Sequence, residues 1–198
     1  MEPTSYFAAI LGHSFVARAQ RPIEELLDNN QIVGRFQVAG KGGMQFGCEK
    51  YKAALQTLAR KTERTDLPVV VIVFLGDNDI FKKDSDSFGP NTRNLTEAAL
   101  EWYQELLNIR STLNAERVYL IGPAVRRGRP NHNRTLEVID YLVRRLTHRR
   151  RWVTYVSREE RGGWNPDELS PDNIHPREEF FRTWILDFIT LALEHMSA

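Results

Sequence analysis

Three short segments each place a small or reactive polar residue just after a run that reads as a strand. They are Leu11-Gly12-His13-Ser14, Gly76-Asp77-Asn78-Asp79 and Asp172-Asn173-Ile174-His175-Pro176. A parallel sheet gathers the carboxyl ends of its strands on one edge, and ligand sites form there. A serine, an asparagine and an Asp/His pair brought to one such edge are the parts that ester hydrolysis by a serine nucleophile requires.

Each residue has a plain structural reading beside the chemical one. Ser14 stands where the first strand passes into a helix, so backbone N–H groups and the positive helix end would favour an oxyanion there. Read alone, it is an ordinary helix N-cap. His13 is adjacent to Ser14 and poorly directed to act as its base, so packing or a loop hydrogen bond is its expected role. His175 is the better base. Asp172, three residues earlier, can accept the proton of one imidazole nitrogen while the other nitrogen faces Ser14. Without Ser14, Asp172 would merely cap a turn before Pro176. Asn78 offers an amide N–H to a tetrahedral oxyanion, or else forms an Asx turn. Gly40 follows the second strand, where a bare backbone N–H can approach the same oxygen. Its alternative is a left-handed turn. Each donor of this kind is typically worth roughly 3–4 kcal/mol in the transition state.

The elements that must position these groups are readable from periodicity. Tyr6–Leu11 is a short apolar strand. Ser14 begins a helix running toward Leu27, split or restarted at Pro22. Arg35–Val38 is a second strand, followed by the glycine-rich turn Gly40-Lys41-Gly42-Gly43. Glu49–Arg60 is a helix burying Tyr51, Leu55 and Leu58. Val69–Leu75 is apolar throughout and β-branched at five of seven positions, as a central strand covered on both faces should be. Lys82–Asn91 reads as a polar loop. Leu95–Leu113 is a helix with Ala99, Trp102, Leu106, Leu107 and Ile109 available for packing. Val118–Ile121, a helix over Leu136–Leu146, and Trp152–Val156 follow. Pro176 then opens a last helix whose stripe is Phe180, Trp184, Phe188 and Leu191. Five alternations of strand and helix without a linker predict one α/β/α sandwich domain over residues 1–198.

Composition excludes several classes. The 198 residues carry 27 Lys plus Arg against 26 Asp plus Glu, close to neutrality, which argues against a strongly basic nucleic-acid protein. One region departs from this balance. Between Arg126 and Arg151 stand nine arginines against Glu137 and Asp140. Arg149, Arg150 and Arg151 are candidate contacts for a polyanion, and solvated helix and loop surface is the simpler account. The single cysteine, Cys48, leaves no intrachain disulfide framework. No run approaches the roughly 20 apolar residues needed to span a bilayer, and no export signal is expected. A cytoplasmic or intracellular location is expected. Asp77, Asp79, Asp84 and Asp86 suggest calcium, but an EF-hand loop from Asp77 would need glycine where Lys82 stands and glutamate where Phe88 stands. The glycine-rich turn lacks the Gly-Lys-Ser/Thr ending of a phosphate loop. Neither a dinucleotide fingerprint nor a Cys/His zinc cluster is present, so no cofactor and no metal are expected.

With these residues in place, the sequence resembles the SGNH hydrolases, also called GDSL-type esterases. Leu11-Gly12-His13-Ser14 resembles their nucleophile block, Gly40 in Val38-Ala39-Gly40 their glycine block, and Gly76-Asp77-Asn78-Asp79 their Gly-x-Asn-Asp block. Asp172-Asn173-Ile174-His175-Pro176 resembles their Asp-x-x-His block. The resemblance implies a flavodoxin-like, five-stranded, mostly parallel sheet in the order 2-1-3-4-5. It also implies Ser14 as nucleophile, His175 as base and Asp172 as its orienter, with oxyanion donors at the Ser14 and Gly40 backbones and the Asn78 side chain. The activity implied is hydrolysis of short acyl, in particular acetyl, esters. Where the family usually carries aspartate, this chain has His13, and Gly43 competes with Gly40 for the glycine role. A weaker resemblance links Gly12-His13-Ser14-Phe15-Val16 to esterase domains in the first open reading frames of non-LTR retrotransposons. Two alternatives follow. One is an esterase-fold binding module associated with RNA through the arginine-rich region. The other is a carbohydrate O-acetyl esterase, with Trp164 as a candidate sugar-stacking residue.

Overall fold

The computed structural model describes residues 5–79, 95–123, 130–156 and 177–197. Five strands form one sheet: β1 (Tyr6–Gly12), β2 (Val33–Gly40), β3 (Val69–Phe74), β4 (Ala115–Ile121) and β5 (Val153–Val156). Their order is β2-β1-β3-β4-β5, and all four pairings are parallel. The helices are α1 (Ser14–Arg18), α2 (Gln20–Asp28), α3 (Glu49–Thr62), α4 (Leu95–Leu113), α5 (Pro130–Thr147) and α6 (Glu178–Ser197). On one face α3, α4 and α5 pack in series. On the other, α2 contacts α6 and Phe15 of α1 meets Trp184 of α6 edge to face at 5.4 Å. The result is the expected three-layer α/β/α sandwich.

The sheet is held by its central strands. Every residue of β3 is buried, and its β-branched side chains have a helical layer on each side to pack into. Burying a side chain of this size contributes about 1.5–3 kcal/mol, so the Val69–Phe74 run is a large part of the core. Tyr51, Leu55 and Leu58 are buried on α3 as their spacing predicts, and so are Ala99, Trp102, Leu106 and Ile109 on α4.

Several boundaries differ from expectation, each for a local reason. The first helix breaks at Ala19 rather than at Pro22. Pro22 lies in the first turn of α2, where a missing N–H costs no intrahelical bond. α5 begins at Pro130, six residues before Leu136. The proline suits a first helical position, and the polar turn after it buries His132 and Thr135. On α6 the deeply buried seam is Ile185, Phe188, Ile189, Ala192 and Leu193, with Phe180, Trp184 and Leu191 half-buried beside it. Leu107 is likewise half-buried. Among the described residues, no helix is long and apolar enough to cross a membrane.

Candidate active site

The strand order puts β1 between β2 and β3, and the register aligns their ends. Gly12 pairs with Gly40 on one side and with Phe74 on the other. Just beyond Gly12 the backbone is held from both flanks: Lys41 N–H donates to Gly12 O at 3.0 Å, and His13 N–H donates to Phe74 O at 3.2 Å. Ser14 is the next residue and the first of α1. Ser14, Gly40 and the Gly76–Asp79 turn therefore meet at one sheet edge, as the sequence blocks predict.

His13 caps the helix that Ser14 opens. Its Nδ1 accepts the Phe15 N–H at 3.3 Å, and its Nε2 lies 3.4 Å from Asp77 Oδ1. Both side chains are buried. The cap requires a lone pair on Nδ1, which leaves the proton on Nε2, facing the carboxylate. With both nitrogens engaged, neither is presented to Ser14. The expected loop hydrogen bond of His13 is thus found, and it reaches the end of β3 as well. The pairing with Asp77 is not legible in sequence, because 64 positions separate the partners. The aspartate of the Gly76-Asp77-Asn78-Asp79 block is the one signal that could have suggested it.

Gly40 is not in a left-handed turn. The left-handed glycines of this loop are Gly43 and Gly47, at φ 73° and 74°. At Gly40 a Cβ would stand 2.5 Å from the backbone nitrogen of Ala17 and 2.9 Å from its Cα, so close approach of α1 to β2 requires glycine there. The Lys41 N–H is committed to the β1 carbonyl of Gly12, and β2 is an edge strand. A cavity of ≈ 480 Å³ adjoins this edge, lined by Val38, Ala39, Gly40, Lys41, Lys50 and Ala53 among others. Lys50 Nζ donates to Gly42 O at 2.8 Å and pins the glycine-rich turn over it.

The two loops flanking Ser14 are laced to each other. Asn78 Nδ2 donates to Met44 O at 3.2 Å, and Gln45 Nε2 donates to Asn78 O at 2.6 Å. Phe46 N–H donates to Asp79 Oδ1 at 3.2 Å. Asn78 is thus engaged through both its side-chain amide and its backbone carbonyl. Its amide reaches across to the residue 34 positions earlier, and the geometry of an NH2 group leaves it a second N–H. Gly76 at φ 113° makes the bend, and its Cα faces Trp102 so closely that a Cβ would stand 2.7 Å from the indole. Burial pushes the Asp79 carboxyl up to about 7, aided by the Asp77 charge and opposed by the Phe46 N–H. Among the described residues no group of three or more His, Cys, Asp or Glu side chains is placed to hold a metal ion.

Asp172, His175 and Trp164 lie outside the described residues, as do Arg126, Arg127, Arg129 and the Lys82–Asn91 segment. Arg149, Arg150 and Arg151 stand elsewhere, at the turn between α5 and β5 and exposed.

No protein-family model matches the sequence, and no curated protein matches it. Solved structures do. A catalytic mutant of an acetylxylan esterase from Geobacillus stearothermophilus is 13% identical, with a TM-score of 0.58 over 94% of each chain. The C-terminal catalytic domain of peptidoglycan O-acetyltransferase A from Streptococcus pneumoniae is 15% identical, with a TM-score of 0.60 over 97% of this chain and 94% of that one. A carbohydrate esterase family 3 structure from Talaromyces cellulolyticus is 16% identical, with a TM-score of 0.61 over 97% and 98%. The five-stranded parallel sheet and its flanking helices are the fold of the SGNH-type esterases.

Proposed function

We propose that this chain is a metal-independent serine esterase that removes short acyl groups, acetyl foremost. The observation that carries this reading is the meeting of Ser14, Gly40 and the Asn78 turn at the aligned ends of β1, β2 and β3. Ser14 Oγ attacks the ester carbonyl while His175 takes its proton, and Asp172 holds the imidazole and stabilises the imidazolium. The carbonyl oxygen becomes an oxyanion held by the Ser14 and Gly40 N–H groups and by the second N–H of the Asn78 amide. Collapse expels the alcohol, which takes the proton back from His175. Water, deprotonated by His175, then releases the acid and regenerates Ser14. Because α1 has five residues, a macrodipole adds little, and the individual N–H donors supply the stabilisation.

α6 supports the same assignment. It starts three residues after His175, and its Trp184 packs on Phe15, the neighbour of Ser14. An acetyl group on a carbohydrate hydroxyl is the favoured substrate class. An acetylxylan esterase, a peptidoglycan O-acetyltransferase and a family 3 carbohydrate esterase share the fold. Trp164 is the candidate to stack on the sugar.

The test is labelling by a fluorophosphonate, read by intact mass, which needs no natural substrate. Wild type should take one label on Ser14, and Ser14→Ala and His175→Ala should take almost none. His13→Ala should keep most of it. Absence of label on folded wild type at pH 8 overturns the esterase reading in favour of a binding module. Across aryl esters from acetyl to dodecanoyl the rate should fall with length, and a maximum at dodecanoyl contradicts the short-acyl assignment.

A further inference from the structure

The arginines after α5 line a concavity of their own. Arg144, Thr147, His148, Arg149, Arg150 and Arg151, with the β5 residues Val153–Tyr155, enclose a groove of ≈ 460 Å³. No acidic side chain is among these lining residues. The groove opens at the amino end of β5, an edge strand, whereas Ser14 follows the carboxyl end of β1.

Helix capping explains one of these side chains. Arg150 Nε donates to Leu146 O at 3.0 Å, and cations suit a helix carboxyl end. It does not explain Arg149 and Arg151. Both are exposed, and among the described residues neither is held in an ion pair. Arg149 also sits at φ 63°, a left-handed position that ends many helices and that glycine occupies most cheaply. Arg149 thus places an exposed charge at a position whose backbone glycine would adopt at lower cost.

Aromatic rings extend the same surface. Arg110 lies over the Trp152 ring at 4.9 Å, Trp152 stacks obliquely near Tyr103 at 5.9 Å, and Arg150 lies over Tyr103 at 5.2 Å. Arg110 and Arg150 are exposed, so each guanidinium lies against a ring while remaining open to solvent. A basic channel beside preset planar cations is what single-stranded nucleic acid uses: phosphates pair with the charges, and bases stack on the planes. A membrane surface would want apolar side chains protruding beside the arginines, whereas Val153 and Tyr155 in this groove are buried.

We propose that the groove formed by Arg144–Arg151 and β5, with the Arg110–Trp152–Tyr103–Arg150 stack, binds single-stranded nucleic acid without sequence preference. The contact is separate from the ester site and does not depend on its activity. The probe is a fluorescein-labelled twelve-nucleotide oligouridylate, followed by anisotropy with the full chain from 25 to 200 mM salt. Log affinity should fall linearly with log salt, with a slope of about −0.7 for each phosphate neutralised. Arg149→Gly with Arg151→Gln should weaken binding at least about tenfold at low salt and flatten the slope by about 1.4. The same variant should melt no lower than wild type, because glycine relieves the left-handed position, and Ser14 labelling should be unchanged. Unaltered affinity and slope in that folded variant overturn the proposal. So does binding to phosphatidylserine vesicles without binding to the oligonucleotide.

Discussion

At the scale of single residues, the pair His13 and Asp77 decides how the nucleophile turn is built. Cap and carboxylate contact both fall on His13, so its replacement by aspartate, the usual residue of the family it resembles, keeps a good cap but sets two carboxylates together in a buried place. His13→Asp should therefore lower stability by about 2–3 kcal/mol at pH 8. Asp77→Asn in the same chain should return most of that loss. A double-mutant cycle by urea unfolding measures the coupling, and additive effects would remove the pair from the account. Asp79 supplies the pH dependence. Its folded value of about 7 stands above the ordinary carboxyl value of 3.8, so the folded protein binds the proton more tightly than the unfolded chain. Its contribution to stability is present below pH 4 and is lost as pH rises through 7. Asp79→Asn keeps an oxygen for the Phe46 N–H and removes the charge. For a half-buried group the gain should be about 1–2 kcal/mol at pH 8 and near zero at pH 4, or a few degrees in melting temperature. An equal shift at both pH values would show that the charge is not the cause.

At the scale of elements, the glycines separate packing from turn geometry. Gly40→Ala drives a Cβ into the α1 backbone, which cannot yield as a side chain end would, so a loss of about 2–4 kcal/mol is expected. Gly42→Ala meets nothing within 4 Å and should be close to neutral. Gly43→Ala places a side chain at φ 73° and should cost about 1 kcal/mol. Thermal melts of the three variants in that order check the assignment, and a stable Gly40→Ala protein would mean that α1 does not approach β2 as described. These elements also mark what the sequence could and could not reveal. The β-branched run Val69–Leu75 and the stripes of α3 and α4 were legible because burial on a regular element imposes a period. So were the segments that carry Ser14, Gly40 and Asn78, because a strand followed by a small or polar residue is a local pattern. The start of α5 was obscured by a polar first turn, Asn131-His132-Asn133, that carries no apolar period. The lacing of Met44, Gln45 and Phe46 to Asn78 and Asp79 was illegible for another reason. Hydrogen bonds across more than 30 positions leave no period at all, and they become visible only when β1 is seen to lie between β2 and β3.

At the scale of the whole molecule, the parallel sheet separates two surfaces and ranks its own strands. Ser14 follows the carboxyl end of β1, while the arginine groove lies at the amino end of β5. The chain's near-neutral total hides this polarity. Between the two surfaces runs β3, hydrogen-bonded on both sides and buried at all six positions. The edges differ. β2 exposes Gly34 and Arg35 and leaves most of its other residues half-buried, and β5 has four residues with Thr154 half-buried. Opening β3 to solvent requires separating β1 from β4 and exposing both helical layers, which amounts to global unfolding. Opening β2 or β5 breaks one ladder only. Native-state hydrogen exchange should therefore show the β3 amides protected to the full unfolding free energy, with β1 and β4 close behind. Amides of β2 and β5 should exchange through smaller openings, faster by about tenfold or more. Added denaturant sharpens the distinction, because global exchange accelerates steeply with urea and local opening scarcely responds. Exchange at β5 as slow and as urea-sensitive as at β3 would show that the edge beside the arginine groove is covered by something other than water.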